Sequence, residues 1–155
     1  MNSNIFLSIK PVYARKILTG EKTIELRKFK PTIDQNGIVF LYATSPVQKV
    51  VGFFLADTVV TDSPARLWKK FGKVTGVLKS EYDQYFAGCT FANGILVKKP
   101  YVLEQAISLQ QIREIEPAFR PPQGYLYLKP PRKLAMYLDV FVRISTGQTA
   151  ENLPG

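Results

Sequence analysis

The chain is 155 residues long, the size of one ordinary domain, and its 46% hydrophobic content is enough for a core. Twenty-one Lys and Arg against twelve Asp and Glu leave +9, which favours an anionic partner, nucleic acid foremost, through long-range attraction and counterion release; the plain alternative is a protein that is basic for solubility alone. With no His and a single Cys, the usual Cys/His zinc site, a Ser-His-Asp or Cys-His nucleophile pair and an internal disulfide are excluded, and no metal or cofactor is expected.

The segment IFLSI, residues 5–9, alternates and is rich in strand formers; PVYARKILTG then places Pro11 in a first helical turn and Gly20 at a C-terminal cap. KTIELRKF alternates again, which predicts a strand with Ile24 and Leu26 facing one way and Thr23, Glu25 and Arg27 the other. Charges this dense belong on a surface, because burying them unpaired is costly. After a turn over residues 31–37, IVFLYA (38–43) and KVVGFFLADTVV (49–60) read as apolar strands at the centre of a sheet, the second able to bend or bulge at Gly52.

DSPARLWKKFG predicts a helix with Ser63 as N-cap and Pro64 in first position, and KSEYDQYFAG a second with Ser80 as N-cap, acids in the first turn and Gly88 at its end. Cys89 reads as a small residue at a helix-to-strand junction rather than a reactive thiol. TFANGILVKKPYVLE resumes strand character, SLQQIREIE is a short helix closed by Pro117, and RPPQGYLYLKPPRK is a proline-rich loop. LAMYLDVFVRI, residues 134–144, is expected to supply the last strand. The polar 145–155 is expected to be a flexible tail, leaving residues 1–144 as one domain. Many strands with a few short helices predict an α+β fold, a small, bent, mostly antiparallel sheet closing toward a β-barrel flanked by short helices. Apolar runs such as VVGFFLA fall far short of the ~20 residues that span a bilayer. The opening MNSNIFLSIKPVY has no basic stretch followed by a long apolar one, so a cytoplasmic protein is expected.

Several of these segments, taken together, resemble a known family. LSIKPVYARKILTGEKTIELRK is similar to the opening of ASCH domains, members of the PUA-like superfamily. Their signature is a short helix ending in Gly, a Lys two residues on, a Glu three after it and an Arg two further; Gly20, Lys22, Glu25 and Arg27 hold that spacing. YATSPVQKVVGFF, SEYDQYFAG and RPPQGYLYL extend the resemblance over residues 5–142, toward a bacterial and phage branch classed as regulators. It implies a PUA-like barrel with a cleft between the barrel and the helix at residues 11–18. It also implies RNA binding in the regulation of transcription or translation, with RNA or a nucleotide-like ligand as partner.

Carried onto this chain, the resemblance lines the cleft with Lys22 and Arg27 and sets Glu25 between them. Arg offers a planar fork to phosphate or a base edge, Lys a point charge, and Glu25 orients Arg27 or accepts from a base amino group. Lys10, Tyr42, Thr44, Ser45 and Gln123 are further candidate ligand-binding residues, with Tyr42, Tyr125 and Tyr127 as stacking surfaces and Ser45 and Gln123 as hydrogen-bonding groups. Arg66, Lys69, Lys70 and Lys73 lie in an acid-free stretch and are candidates for phosphate contact, against the alternative of a solvated helix face. Arg120, Lys129, Arg132 and Lys133 form a third basic group. The competing reading of the signature is a Lys22–Glu25–Arg27 ion-pair network that merely closes the barrel end, its exposed pairs contributing only ~0–1 kcal/mol each.

Whether the domain is an enzyme stays open in the sequence. Some members of the resembled family hydrolyse an amide on acylated cytidines with a Lys, a Thr and a Glu. Here Glu25 stands at the Thr position and no acid lies between Asp62 and Glu81, where their Glu falls, so that activity is not expected. Metal-independent RNA cleavage needs a base for the 2′-hydroxyl and an acid for the leaving oxygen; without His, the candidates are Lys22, Glu25 and Tyr42. A third reading is a protein-interaction module for an acidic partner.

Overall fold

In the computed structural model, which describes residues 4–147, six strands form one sheet: β1 (Asn4–Ile9), β2 (Ile24–Arg27), β3 (Ile38–Ala43), β4 (Lys49–Asp62), β5 (Ala92–Ser108) and β6 (Tyr125–Leu128). Their order is β2-β5-β4-β3-β1-β6, and only β1 and β3 pair in parallel. The α+β, mostly antiparallel expectation therefore holds, with the apolar β3 and β4 in the middle as their composition requires. A register shift follows Val50, and a Cβ at Gly52 would collide with the Tyr101 carbonyl and come within 2.7 Å of Leu18 Cδ2. Glycine there lets the bulged strand pass close to its neighbours.

The sheet curls until its two edges approach, Arg27 of β2 lying 5.4 Å over the ring of Tyr125 on β6. Inside the curl, Ala14 and Ile17 of α1 (Pro11–Leu18) pack on Ile5, Leu7, Val39, Leu41, Phe54 and Ile95. The opposite face is covered in two places. The helices α4 (Leu109–Ile115) and α5 (Lys133–Ser145) bury Phe6, Phe40, Tyr42 and Phe53, while α2 (Pro64–Phe71) and α3 (Lys79–Tyr85) bury Ile24 and Leu26 with Leu67, Tyr82 and Phe86. No helix among the described residues is long and apolar enough to cross a membrane.

Ser63 caps α2 as expected, its Oγ accepting from the Arg66 amide at 3.3 Å, with Pro64 in first position. Three expectations are corrected. Residues 134–144 form most of helix α5 rather than a strand: aromatic and β-branched residues mimic strand composition, but Leu134, Leu138 and Val142 bury one stripe at four-residue spacing. Part of the proline-rich loop is β6, paired with β1. Ser80 lies inside α3, whose N-cap is Leu78. Ser145 ends α5, Thr146 caps it, and residues 148–155 of the expected tail lie outside the described residues.

Candidate functional site

Lys22 follows the turn after α1 and enters the protein rather than solvent. It is 2% exposed, and its Nζ donates to the Thr75 carbonyl at 2.5 Å and stands 5.5 Å from the centroid of the Tyr13 ring. Thr75 belongs to a strap over residues 72–78 that joins α2 to α3 and contains a 3-10 turn at Gly72–Val74. At Gly76 φ is 71°, and a Cβ would lie 3.1 Å from the Lys22 Cβ, so glycine serves both the left-handed backbone and the close approach. The strap is held from α1: Lys16 Nζ donates to the Gly76 carbonyl at 2.8 Å, and the Tyr13 hydroxyl donates to Glu81 Oε2 on α3 at 2.5 Å. The Thr23 amide adds a bond to the Val74 carbonyl at 2.9 Å.

Glu25 shares a face of the sheet with its β5 partner Ile95, is 7% exposed, and has an enclosed Oε2 that accepts no hydrogen bond. No ion pair within 4.0 Å joins Lys22, Glu25 and Arg27 among the described residues. The ion-pair network of the competing reading is therefore not formed, and the expectation that these charges are exposed fails for Lys22 and Glu25. Burial lowers the Lys22 pKa below its ordinary value, opposed by Glu25 and aided by Lys16. The Tyr13 pKa is pushed up to about 12, chiefly by its bond to Glu81 and then by burial.

Arg27 has two neighbours on the far edge, the Tyr125 ring and Gly124, where a Cβ would come within 2.9 Å of the guanidinium Nη2. It bridges the two edges of the curl. On α3, burial raises the Tyr85 pKa, with Arg27 lowering and Glu25 raising it in turn, which places the Tyr85 hydroxyl in the field of both charges. A buried carboxylate oxygen without a donor, beside an ammonium and aromatic rings, is suited to receive a group that carries N–H or O–H.

The structure brings together Lys22, Glu25 and Arg27, with Gln123 exposed next to Gly124. It separates Tyr42 from them: strand alternation turns Tyr42 to the opposite face, stacked on Phe6 at 5.4 Å, its pKa raised by burial against the pull of Arg113. Lys22, Glu25 and Tyr42 thus do not form one constellation. Lys10 and Ser45 are exposed, and Thr44 donates its amide to the Ile9 carbonyl; these three sit at the carboxyl ends of β1 and β3, with no hydrogen bond or ion pair to Lys22 or Glu25 among the described residues. Arg66, Lys69, Lys70 and Lys73 are exposed, and Lys70 pairs with Asp62 at 3.4 Å. From the third basic group, Arg132 is held by Glu116 through two bonds of 2.9 Å. Tyr13, Thr75 and Gly76 adjoin Lys22, and the sequence does not single them out; Tyr13, Gly76 and Glu81 also line a pocket between α1 and α3. Among the described residues no group of three His, Cys, Asp or Glu could hold a metal.

The ASCH domain model matches residues 7–117. The chain is 31% identical over 123 residues to an "ASCH domain-containing ribonuclease" of Zymomonas mobilis, covering 79% of this chain and 82% of that protein. The crystal structure of an ASCH protein from Zymomonas mobilis superposes with a TM-score of 0.78 at 28% identity, over 87% of this chain and 94% of the other. A 31% match over 126 residues to the large ribosomal subunit protein uL22 of Ureaplasma parvum covers 81% of this chain and only 39% of that protein. With the family model matching residues 7–117 and a 31% identical relative covered over 82% of its length, this chain belongs to the ASCH domain family.

Proposed function

We propose that this domain binds single-stranded RNA at the cleft between α1, β2 and α3, in the service of regulating transcription or translation. The observation that carries the reading is the pair of buried charges, Lys22 and Glu25, not ion-paired with each other, in a chain of net charge +9. Buried ionic groups without mutual compensation are expensive in a purely structural role, and a ligand supplies the missing partners. The likeness to a protein named a ribonuclease supports RNA as the polymer. The test is titration of a labelled single-stranded RNA with wild type and Lys22→Met at two salt concentrations, with thermal melts to monitor folding. Salt-sensitive binding that weakens about tenfold in the variant, the effect of losing one charged hydrogen bond, is expected. A wild type that binds no RNA overturns the reading in favour of a protein-interaction module.

A second reading, metal-independent RNA cleavage, is favoured by the lowered pKa of Lys22 and by the name of the Zymomonas relative. In that reaction the Glu25 carboxylate takes the proton of the 2′-hydroxyl, the 2′-oxygen bonds to phosphorus and the bond from phosphorus to the 5′-oxygen breaks. The Lys22 ammonium, its hold on the proton weakened by burial, passes that proton to the leaving oxygen, giving a 2′,3′-cyclic phosphate and a 5′-hydroxyl. Both groups are nearly enclosed, so this chemistry requires them to become accessible to the RNA strand. Running the titration endpoints on a gel in the presence of EDTA separates the readings: Lys22-dependent fragments support cleavage, and intact bound RNA supports binding alone.

A further inference from the structure

The outer end of the β2–β5 ladder carries an aromatic surface that the core does not use. The register pairs Arg27 with Asn93, and the two strands leave the sheet together beyond that pair, β2 toward Phe29 and β5 back toward Phe91. Phe29 is 81% exposed and Phe91 60% exposed. A third ring, Tyr85, is 37% exposed, with the Lys28 ammonium 5.0 Å over it. Lys30 is exposed one residue beyond Phe29. The backbone here is tied down: Asn93 is buried and its Nδ2 donates to the Lys28 carbonyl at 3.1 Å. Single apolar residues at a surface are ordinary, but two bare phenylalanines and a tyrosine interleaved with lysines at one strand end are the composition of a stacking platform.

We propose that Phe29 and Phe91 stack two unpaired bases of a single-stranded RNA while Lys28 and Lys30 contact the phosphates between them. The proposal rests on RNA being the ligand of this domain, and it extends the binding surface from the cleft outward. Tyr85 joins the two regions, since its ring carries Lys28 and its hydroxyl feels Arg27 and Glu25. The cations decide the kind of partner. An apolar protein surface would leave Lys28 and Lys30 facing no counter-charge, whereas a strand presents a base for each ring and a phosphate for each lysine.

The experiment is fluorescence anisotropy with a fluorescein-labelled single-stranded RNA of about 12 nucleotides. It compares wild type with three double variants: Phe29→Ala with Phe91→Ala, Phe29→Tyr with Phe91→Tyr, and Phe29→Leu with Phe91→Leu. Both side chains are exposed, so folding is preserved. The alanine pair is expected to weaken binding about fivefold or more, the loss of at least one stacked base. The tyrosine pair should bind as wild type and the leucine pair as the alanine pair. Alanine variants that bind as tightly as wild type overturn the platform while leaving RNA binding intact, and leucine variants that bind as wild type overturn stacking in favour of simple apolar contact. A wild type that binds no RNA removes both the platform and the functional reading beneath it.

Discussion

Lys22 shows how a residue's spacing can be legible while its environment is not. Gly20, Lys22, Glu25 and Arg27 announce themselves by their intervals, but Thr75, which accepts from Lys22, lies 53 positions away. The partner of Tyr13, Glu81, lies 68 positions away. Burial set by such distant segments leaves no local trace. It has a thermodynamic signature, however. Because the folded pKa of Lys22 lies below its ordinary 10.5, the unfolded chain binds more protons between those two values, and stability rises with pH across that interval. The contribution is complete above 10.5 and lost as pH falls through the lowered value. Lys22→Met removes it, so urea midpoints from about pH 7 to about pH 10 are expected to climb more steeply in wild type than in the variant. Parallel profiles would mean that the ammonium is as well solvated folded as unfolded.

Among the elements, the strap over residues 72–78 lies over Lys22. It is attached directly by the bonds from Lys16, Lys22 and Thr23, and the Tyr13 bond to Glu81 anchors α3 just beyond it. Tyr13→Phe deletes that anchor and should cost about 1 kcal/mol, with amide exchange rising over residues 74–85 more than in the sheet. Gly76→Ala forces a Cβ into a left-handed backbone position against Lys22 and should destabilise by about 1–2 kcal/mol in a denaturant titration. The strap was hidden because it reads as an unremarkable connector, VTGV, between two recognisable helices. Helix α5 is obscured in the sequence for the opposite reason, an excess of signal. Tyr137, Val140, Phe141, Val142 and Ile144 carry strand propensity, while the packing of Leu134, Leu138 and Val142 against the sheet settles the helix. Leu138 is fully buried there, so Leu138→Ala should lower stability by about 2–5 kcal/mol.

At the scale of the molecule, the apolar strands, the turns and the mostly antiparallel sheet are written in local patterns, whereas the curl that joins β2 to β6 and the face each aromatic takes depend on closure. Tyr42 illustrates the difference: its position beside a loop suggested a wet ring, and alternation along β3 sent it into the core instead. Net charge belongs to this scale too, since +9 predicts attraction to RNA without saying where the strand runs. Lys73 lies in the strap that covers Lys22, and Lys69 is exposed on the adjoining α2, so the two extend the basic surface away from the cleft. Lys70 is a weaker candidate because Asp62 already pairs with it. If Lys69 and Lys73 contact phosphate, replacing both with Gln should weaken binding to every single-stranded sequence alike. It should also flatten the dependence of log K on log salt by about 0.7 for each lost contact. An unchanged slope would assign these lysines to a solvated helix face and confine the phosphate track to the β2 side of the cleft.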